Sequence, residues 1–112
     1  MENEIYKVVK NLHDCSVDKI EIKQSAFSED CPPDYPKDYF EIKVRIMKDS
    51  DYSIQKFISF AFSDIQEFSI KKTDSWNWLI FESNLLYKDG FYVFRIDDYI
   101  KIVCSSVIYK IE

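Results

Sequence analysis

The stretch F-E-I-K-V-R-I at residues 40–46 sets Phe40, Ile42, Val44 and Ile46 on one side of an extended chain and Glu41, Lys43 and Arg45 on the other. Side chains of a strand alternate between faces, so this period of two predicts a β-strand with one apolar and one wet face. Asp49-Ser50-Asp51 then reads as a turn. Residues 54–62 crowd Phe57, Ile58, Phe60, Ala61 and Phe62 together, which predicts a central strand covered on two sides.

Further along, Ser63 and Gln66 have the spacing of a capping box, which predicts one helical turn over 63–67 before a short strand over 68–72. Lys72-Thr73-Asp74-Ser75 reads as a turn and residues 76–87 as extended chain broken near Ser83-Asn84. Asp89-Gly90 contains the only glycine and lies between Leu85-Leu86-Tyr87 and Phe91-Tyr92-Val93-Phe94. A tight hairpin turn follows. Asp97-Asp98 makes the next turn, residues 99–104 a strand, Ser105-Ser106 a turn or bulge and residues 107–111 the last strand.

Before residue 40, prolines 32, 33 and 36 remove backbone donors and fix φ among the acids Glu29, Asp30, Asp34 and Asp38, so residues 28–38 are a loop. Ile20 and Ile22 alternate with Lys19, Glu21 and Lys23 as a strand. Ile5, Val8, Val9 and Leu12 instead fall at i, i+3, i+4 and i+7, with Glu2, Glu4, Lys7 and Lys10 left for solvent. That spacing predicts one short N-terminal helix, ended by Asn11 or Asp14, with His13 at the corner. The fold expected is mainly β: an antiparallel meander forming a sandwich or open barrel, with one short α-helix, as a single domain over 1–112. Phe40, Ile42, Val44, Ile46, Ile58, Phe60, Phe62, Val93 and Ile102 are its expected core.

Composition agrees with that reading and narrows the function. The chain has 112 residues, 46% hydrophobic and 31% charged, enough apolar surface for one core without disulfides or a metal. Its formal charge of −5, with 15 basic residues spread along the chain, argues against phosphate-backbone binding and so against nucleic acid. Residues 1–10 carry Glu2 and Glu4 and no apolar core of a secretory signal. No apolar run approaches the ~20 residues that cross a bilayer. Three cysteines, at 15, 31 and 104, without C-x-x-C spacing, fit reduced thiols in a cytoplasm, with Cys15 and Cys104 as small core residues.

No constellation of catalytic residues stands out. One histidine and three scattered thiols make a poor zinc site, and His13 with Cys15 would point to opposite faces of a strand. Glu82 with Asp97 or Asp98 could act as paired carboxylates, but 20 acids in the chain make such pairs common on a solvated surface. Asp49-Ser50-Asp51 lacks the glycine and further ligands of a calcium loop. No metal or cofactor is expected. Nineteen aromatic residues are many for a core of this size. Several of them, Tyr35, Tyr39, Tyr52, Trp76 and Trp78, lie in or beside acid-bearing loops. Aromatic anchors beside steering charge suit a protein-recognition surface. The partner-binding candidates are therefore Glu29, Asp30, Asp34, Tyr35, Asp38, Asp74, Trp76 and Trp78.

The order of Asn11-Leu12-His13-Asp14 at a helix end, an I-x-I strand at Ile20 and Ile22, a proline-acid loop, a long amphipathic strand and I-S-F-A-F-S-D-I before a closing meander resembles small bacterial immunity proteins of polymorphic and contact-dependent toxin systems. The pieces that carry the resemblance are Leu12-His13-Asp14 and Phe62-Ser63-Asp64-Ile65. The resemblance implies an intracellular, non-enzymatic protein that binds one toxin domain and blocks it. An acidic domain suits a basic toxin domain as that partner. The competing expectation is a small-molecule-binding sandwich or barrel whose aromatic residues line an interior pocket.

Overall fold

The alternation of Phe40 to Ile46 does form a strand, and its apolar set is the middle of the core. A computed structural model describes residues 2–24, 40–48, 56–73 and 78–112. They comprise helix α1 (Glu2–Lys10) and strands β1 (Ser16–Gln24), β2 (Phe40–Met47), β3 (Phe57–Ile70), β4 (Ser83–Lys88), β5 (Phe91–Ile96) and β6 (Ile100–Ile111). The fold is mainly β with one short N-terminal helix. All six strands belong to one open antiparallel sheet in the order β1-β2-β3-β6-β5-β4.

The start of β1 meets the segment that leads into β4, the strand at the other edge of the sheet. Ser16, at the start of β1, bridges Leu79, the Val17 amide donates to the Trp78 carbonyl at 3.0 Å and the Ile80 amide to the Cys15 carbonyl at 2.8 Å. The segment leading into β4 is thereby tied to the far edge, and the sheet curls around its inner face. Helix α1 packs against β4 and turns Ile5 and Val9 inward, with Leu12 just beyond its end also buried, while Glu4, Lys7 and Lys10 stay exposed. Lys7 and Lys10 in its last turn suit the negative end of the helix dipole.

Ile42, Val44 and Ile46 meet Ile58, Phe60 and Phe62 across β2–β3, and Phe94, Ile96, Ile100, Ile102 and Cys104 complete the buried face. Rings fill its centre: Phe94 lies 4.8 Å from Phe62 and 5.4 Å from Phe60 between centroids. Phe40 is half-buried and stacks on Phe68 at 5.4 Å. The expected core place of Val93 is wrong. It pairs with Val103 and Leu86 on the outer face, half-buried, because Phe94 and Ile96 are the inward residues of β5.

The helical turn expected over 63–67 is also wrong. The chain stays in β3, paired to β6 from Ile58 to Ile70, and absorbs its irregularity as a bulge between Ile65 and Glu67. Asp64 takes a φ of 55°, a left-handed conformation that Asp tolerates better than most residues. Cross-strand hydrogen bonds thus prevail over a local cap. Residues 99–104 and 107–111 are one strand, not two; at Ser105-Ser106 the inward set changes from Cys104, Ile102 and Ile100 to Val107 and Tyr109. Ser83 begins β4, so the expected break falls just before it. The Asp89-Gly90 hairpin has φ of 55° and 87°, the paired positive values of a type I′ turn.

Candidate interaction surface

Asp97 organises one end of the sheet. It follows β5 with a φ of 49°, and its carboxylate accepts the backbone N–H groups of Phe81 at 3.1 Å and Glu82 at 2.8 Å. Its own amide donates to the Glu82 carbonyl at 2.8 Å. The β5–β6 turn therefore clamps the two residues that precede β4. On the other side, the His13 ring Nδ1 lies 2.8 Å from the Phe81 carbonyl, donating in the tautomer protonated there, and the Asp14 amide donates to the Ile80 carbonyl at 2.9 Å.

Tyr99 closes the base. It is buried, its hydroxyl donates towards the carbonyls of Leu79 and Trp78 at 3.3 and 3.4 Å, and its ring meets Trp78 edge-on at 5.5 Å. Burial, then the neighbouring charges of Asp97 and Asp98, push the Tyr99 phenol well above its ordinary range. Its proton is held, which suits a structural group rather than a base.

Between these parts lies an open cleft of about 590 Å³ bordered by Thr73, Phe81, Glu82, Arg95, Asp97 and Asp98. Phe81 is 60% exposed at its rim. Glu82 and Asp98 are exposed as well. The structure thus brings together Glu82, Asp97 and Asp98, the carboxylates that sequence alone could only name as one pairing among many. With Asp97 committed to backbone amides, Glu82 and Asp98 leave negative charge on a cleft that also carries the Phe81 ring and the Arg95 cation.

Ser83 and Cys15 have partners elsewhere. The Ser83 hydroxyl donates to the Val9 carbonyl. Cys15 is buried with its sulfur 3.7 Å from the Lys48 carbonyl, whereas the His13 side chain is exposed and turned to Phe81 and Asp14, so these two groups do not meet. Among the described residues, no group of three His, Cys, Asp or Glu side chains is placed to hold a metal ion. No helix among them is long and apolar enough to cross a membrane.

Of the partner-binding candidates, Glu29, Asp30, Asp34, Tyr35, Asp38, Asp74 and Trp76 lie outside the described residues. Trp78 lies within them, half-buried, packed on Tyr99 and against the core. The 25–39 segment leaves β1 at Gln24, while Trp78 sits beside Val17 at the other end of that strand. Those attachment points are about 20–25 Å apart along β1. Phe81 and Arg95 were missed as surface residues. Phe81 follows Trp78-Leu79-Ile80 in an apolar run whose facing is set by backbone bonds to distant residues, so periodicity could not single it out. Compared with known proteins, the chain matches no family model, no curated protein and no solved structure.

Proposed function

We propose that this chain is a cytoplasmic, non-enzymatic inhibitor of the immunity or antitoxin type, which binds a basic bacterial toxin domain and blocks it stoichiometrically. The observation that carries the reading is the rigidly held acid-aromatic rim, where exposed Glu82 and Asp98 flank exposed Phe81 on a segment clamped by Asp97, His13 and Asp14. A preorganised rim loses little entropy on binding, and acids around an aromatic anchor fit a basic surface. The net charge of −5 steers in the same sense. The buried thiol of Cys104, which is in no disulfide, is in keeping with a reducing compartment.

The test is titration against a basic toxin domain encoded beside this chain's own gene. Toxin activity should fall linearly to zero at one equivalent, with a 1:1 complex by light scattering. Catalytic loss of toxin activity at sub-stoichiometric ratios overturns the reading.

A second reading, a small-molecule-binding domain, is favoured by the cleft itself, whose volume suits a small ligand. Its lining is mixed and polar, with Phe81 and Tyr99 its aromatic members, and the phenylalanine-rich interior is packed on itself. Small ligand screened by thermal shift should then raise Tm in wild type and not in Arg95→Ala.

A further inference from the structure

We propose that this protein associates as a two-fold homodimer through the outer edge of β1, with Ile22 of one copy opposite Ile22 of the other. β1 is a terminal strand of the sheet, and among the described residues its tie to the opposite edge involves only its first turn of chain, Ser16 and Val17. From Ile20 onward no strand among the described residues pairs with its outer edge, which offers backbone donors and acceptors to another strand.

Charge decides the occupant. In an antiparallel pair, opposed residues lie on the same face of the sheet. β1 already meets β2 with Glu21 opposite Lys43 and Lys23 opposite Glu41 on the outer face, and with Ile22 opposite Ile42 on the inner face. A two-fold axis at Ile22 sets Glu21 of each copy against Lys23 of the other. The outer-face row then runs Lys43, Glu21, Lys23, Glu41 across the junction, alternating in sign at every step, and the symmetry supplies that row twice. The inner-face row runs Ile42, Ile22, Ile22, Ile42. It covers a side chain that is 49% exposed in one copy.

Other registers lack this match. Centring the axis on Glu21 opposes Glu21 to itself and Lys19 to Lys23. Centring it on Ile20 brings the second copy onto Ser16 and Val17, whose outer side is already taken by Trp78 and Leu79. The opposite edge strand, β4, carries Lys88 as its one charged residue and is occupied at Ser83 by the helix. Protected edges usually carry lysines, prolines or inward-pointing charges. Here the inward residues are Ile20 and Ile22, and the charges are of both signs in strict alternation. A junction of about five residues per copy buries less than a standard interface, so the dimer should be reversible and concentration-dependent.

Sedimentation of the full chain from about 1 μM to about 1 mM should show a monomer passing to a dimer and stopping there. Glu21→Lys and Lys23→Glu should each dimerise at least about tenfold more weakly, because each sets like charges against each other twice. Mixing the two variants should restore a dimer, now of one copy of each, since both cross-copy pairs again have opposite sign. Circular dichroism confirms that each variant folds. Independently of charge, Ile22→Cys in a Cys31→Ser background should cross-link between copies under mild oxidation, and Lys19→Cys should not, because opposed Cα atoms lie within disulfide reach. A wild type that stays monomeric, open-ended growth from β1 joining β4, a mixture that fails to associate, or equal cross-linking at positions 19 and 22 overturns the proposal. Full self-association of Lys23→Glu alone overturns this register.

Discussion

Two buried protons make the stability of this domain fall on the alkaline side. Burial, with a smaller contribution from the charge of Asp64, pushes the Cys104 thiol from 9.0 up to about 11, against a lowering hydrogen bond from the Ser106 backbone. The unfolded chain therefore releases this proton first. Stability from Cys104 is present in full below pH 9, where the unfolded thiol keeps its proton, and is lost as pH rises to about 11. Tyr99, raised from 10.0 by burial and then by Asp97 and Asp98, adds a further fall that starts near pH 10. Urea midpoints at pH 7, 9 and 10.5 should decline in wild type. Cys104→Ala should flatten the first part of the decline, on the order of 2 kcal/mol, and Tyr99→Phe the second. Core substitutions test the assigned faces at the same scale. Ile42→Ala or Phe60→Ala, fully buried, should cost about 2–5 kcal/mol, whereas half-buried Val93→Ala on the outer face should cost less than about 1 kcal/mol. Equal losses in chemical denaturation at positions 42 and 93 would mean that the facing of β5 is misassigned.

Strand by strand, what the chain's pattern could show was whatever a local period can show. Phe40 to Ile46, the Asp89-Gly90 turn and the Ile5 to Leu12 stripe each carry their structure within a few residues, and each takes the predicted form. Residues 63–67 do not, since their strand state comes from pairing with β6 some forty residues away. Likewise, the clamp on Phe81 and Glu82 is made by Asp97, His13 and Asp14, partners that no window of sequence contains. The acids of the rim were therefore legible as residues but not as a site. Asp64 supplies the element-scale test. With φ at 55°, Asp64→Gly should be neutral or stabilising, and Asp64→Val should lose about 1–2 kcal/mol. Amide exchange should show protection continuing past the bulge in β3 at Ser69 and Lys71, whose N–H groups face β6. Rapid exchange of those amides in otherwise native protein would restore the helical-turn reading of 63–67.

At the scale of the whole molecule, negative charge is distributed in two places that the proposed function uses differently. Glu82 and Asp98 sit on a rim held by backbone hydrogen bonds, whereas Asp30 and Asp34 belong to the proline-bearing 28–38 stretch. Long-range steering depends on summed charge and is screened over about 8–10 Å at ordinary ionic strength. Close contact depends on particular side chains and survives salt better. Reversing Asp30 and Asp34 to Lys should slow association with a basic partner domain about tenfold at low salt and lose most of that effect near 1 M salt, with the dissociation rate little changed. Reversing Glu82 and Asp98 to Lys should slow association as well and also speed dissociation, because these residues border the Phe81 anchor, and the second effect should persist at high salt. Asp97 is left intact in both variants, since its carboxylate holds the 81–82 backbone and its loss would unfasten the rim rather than discharge it. Stopped-flow association and surface-based dissociation measured across salt separate the two behaviours. If the Glu82 and Asp98 variant dissociates at the wild-type rate while the Asp30 and Asp34 variant dissociates faster, the partner seats on the proline-bearing stretch and the rim only steers it.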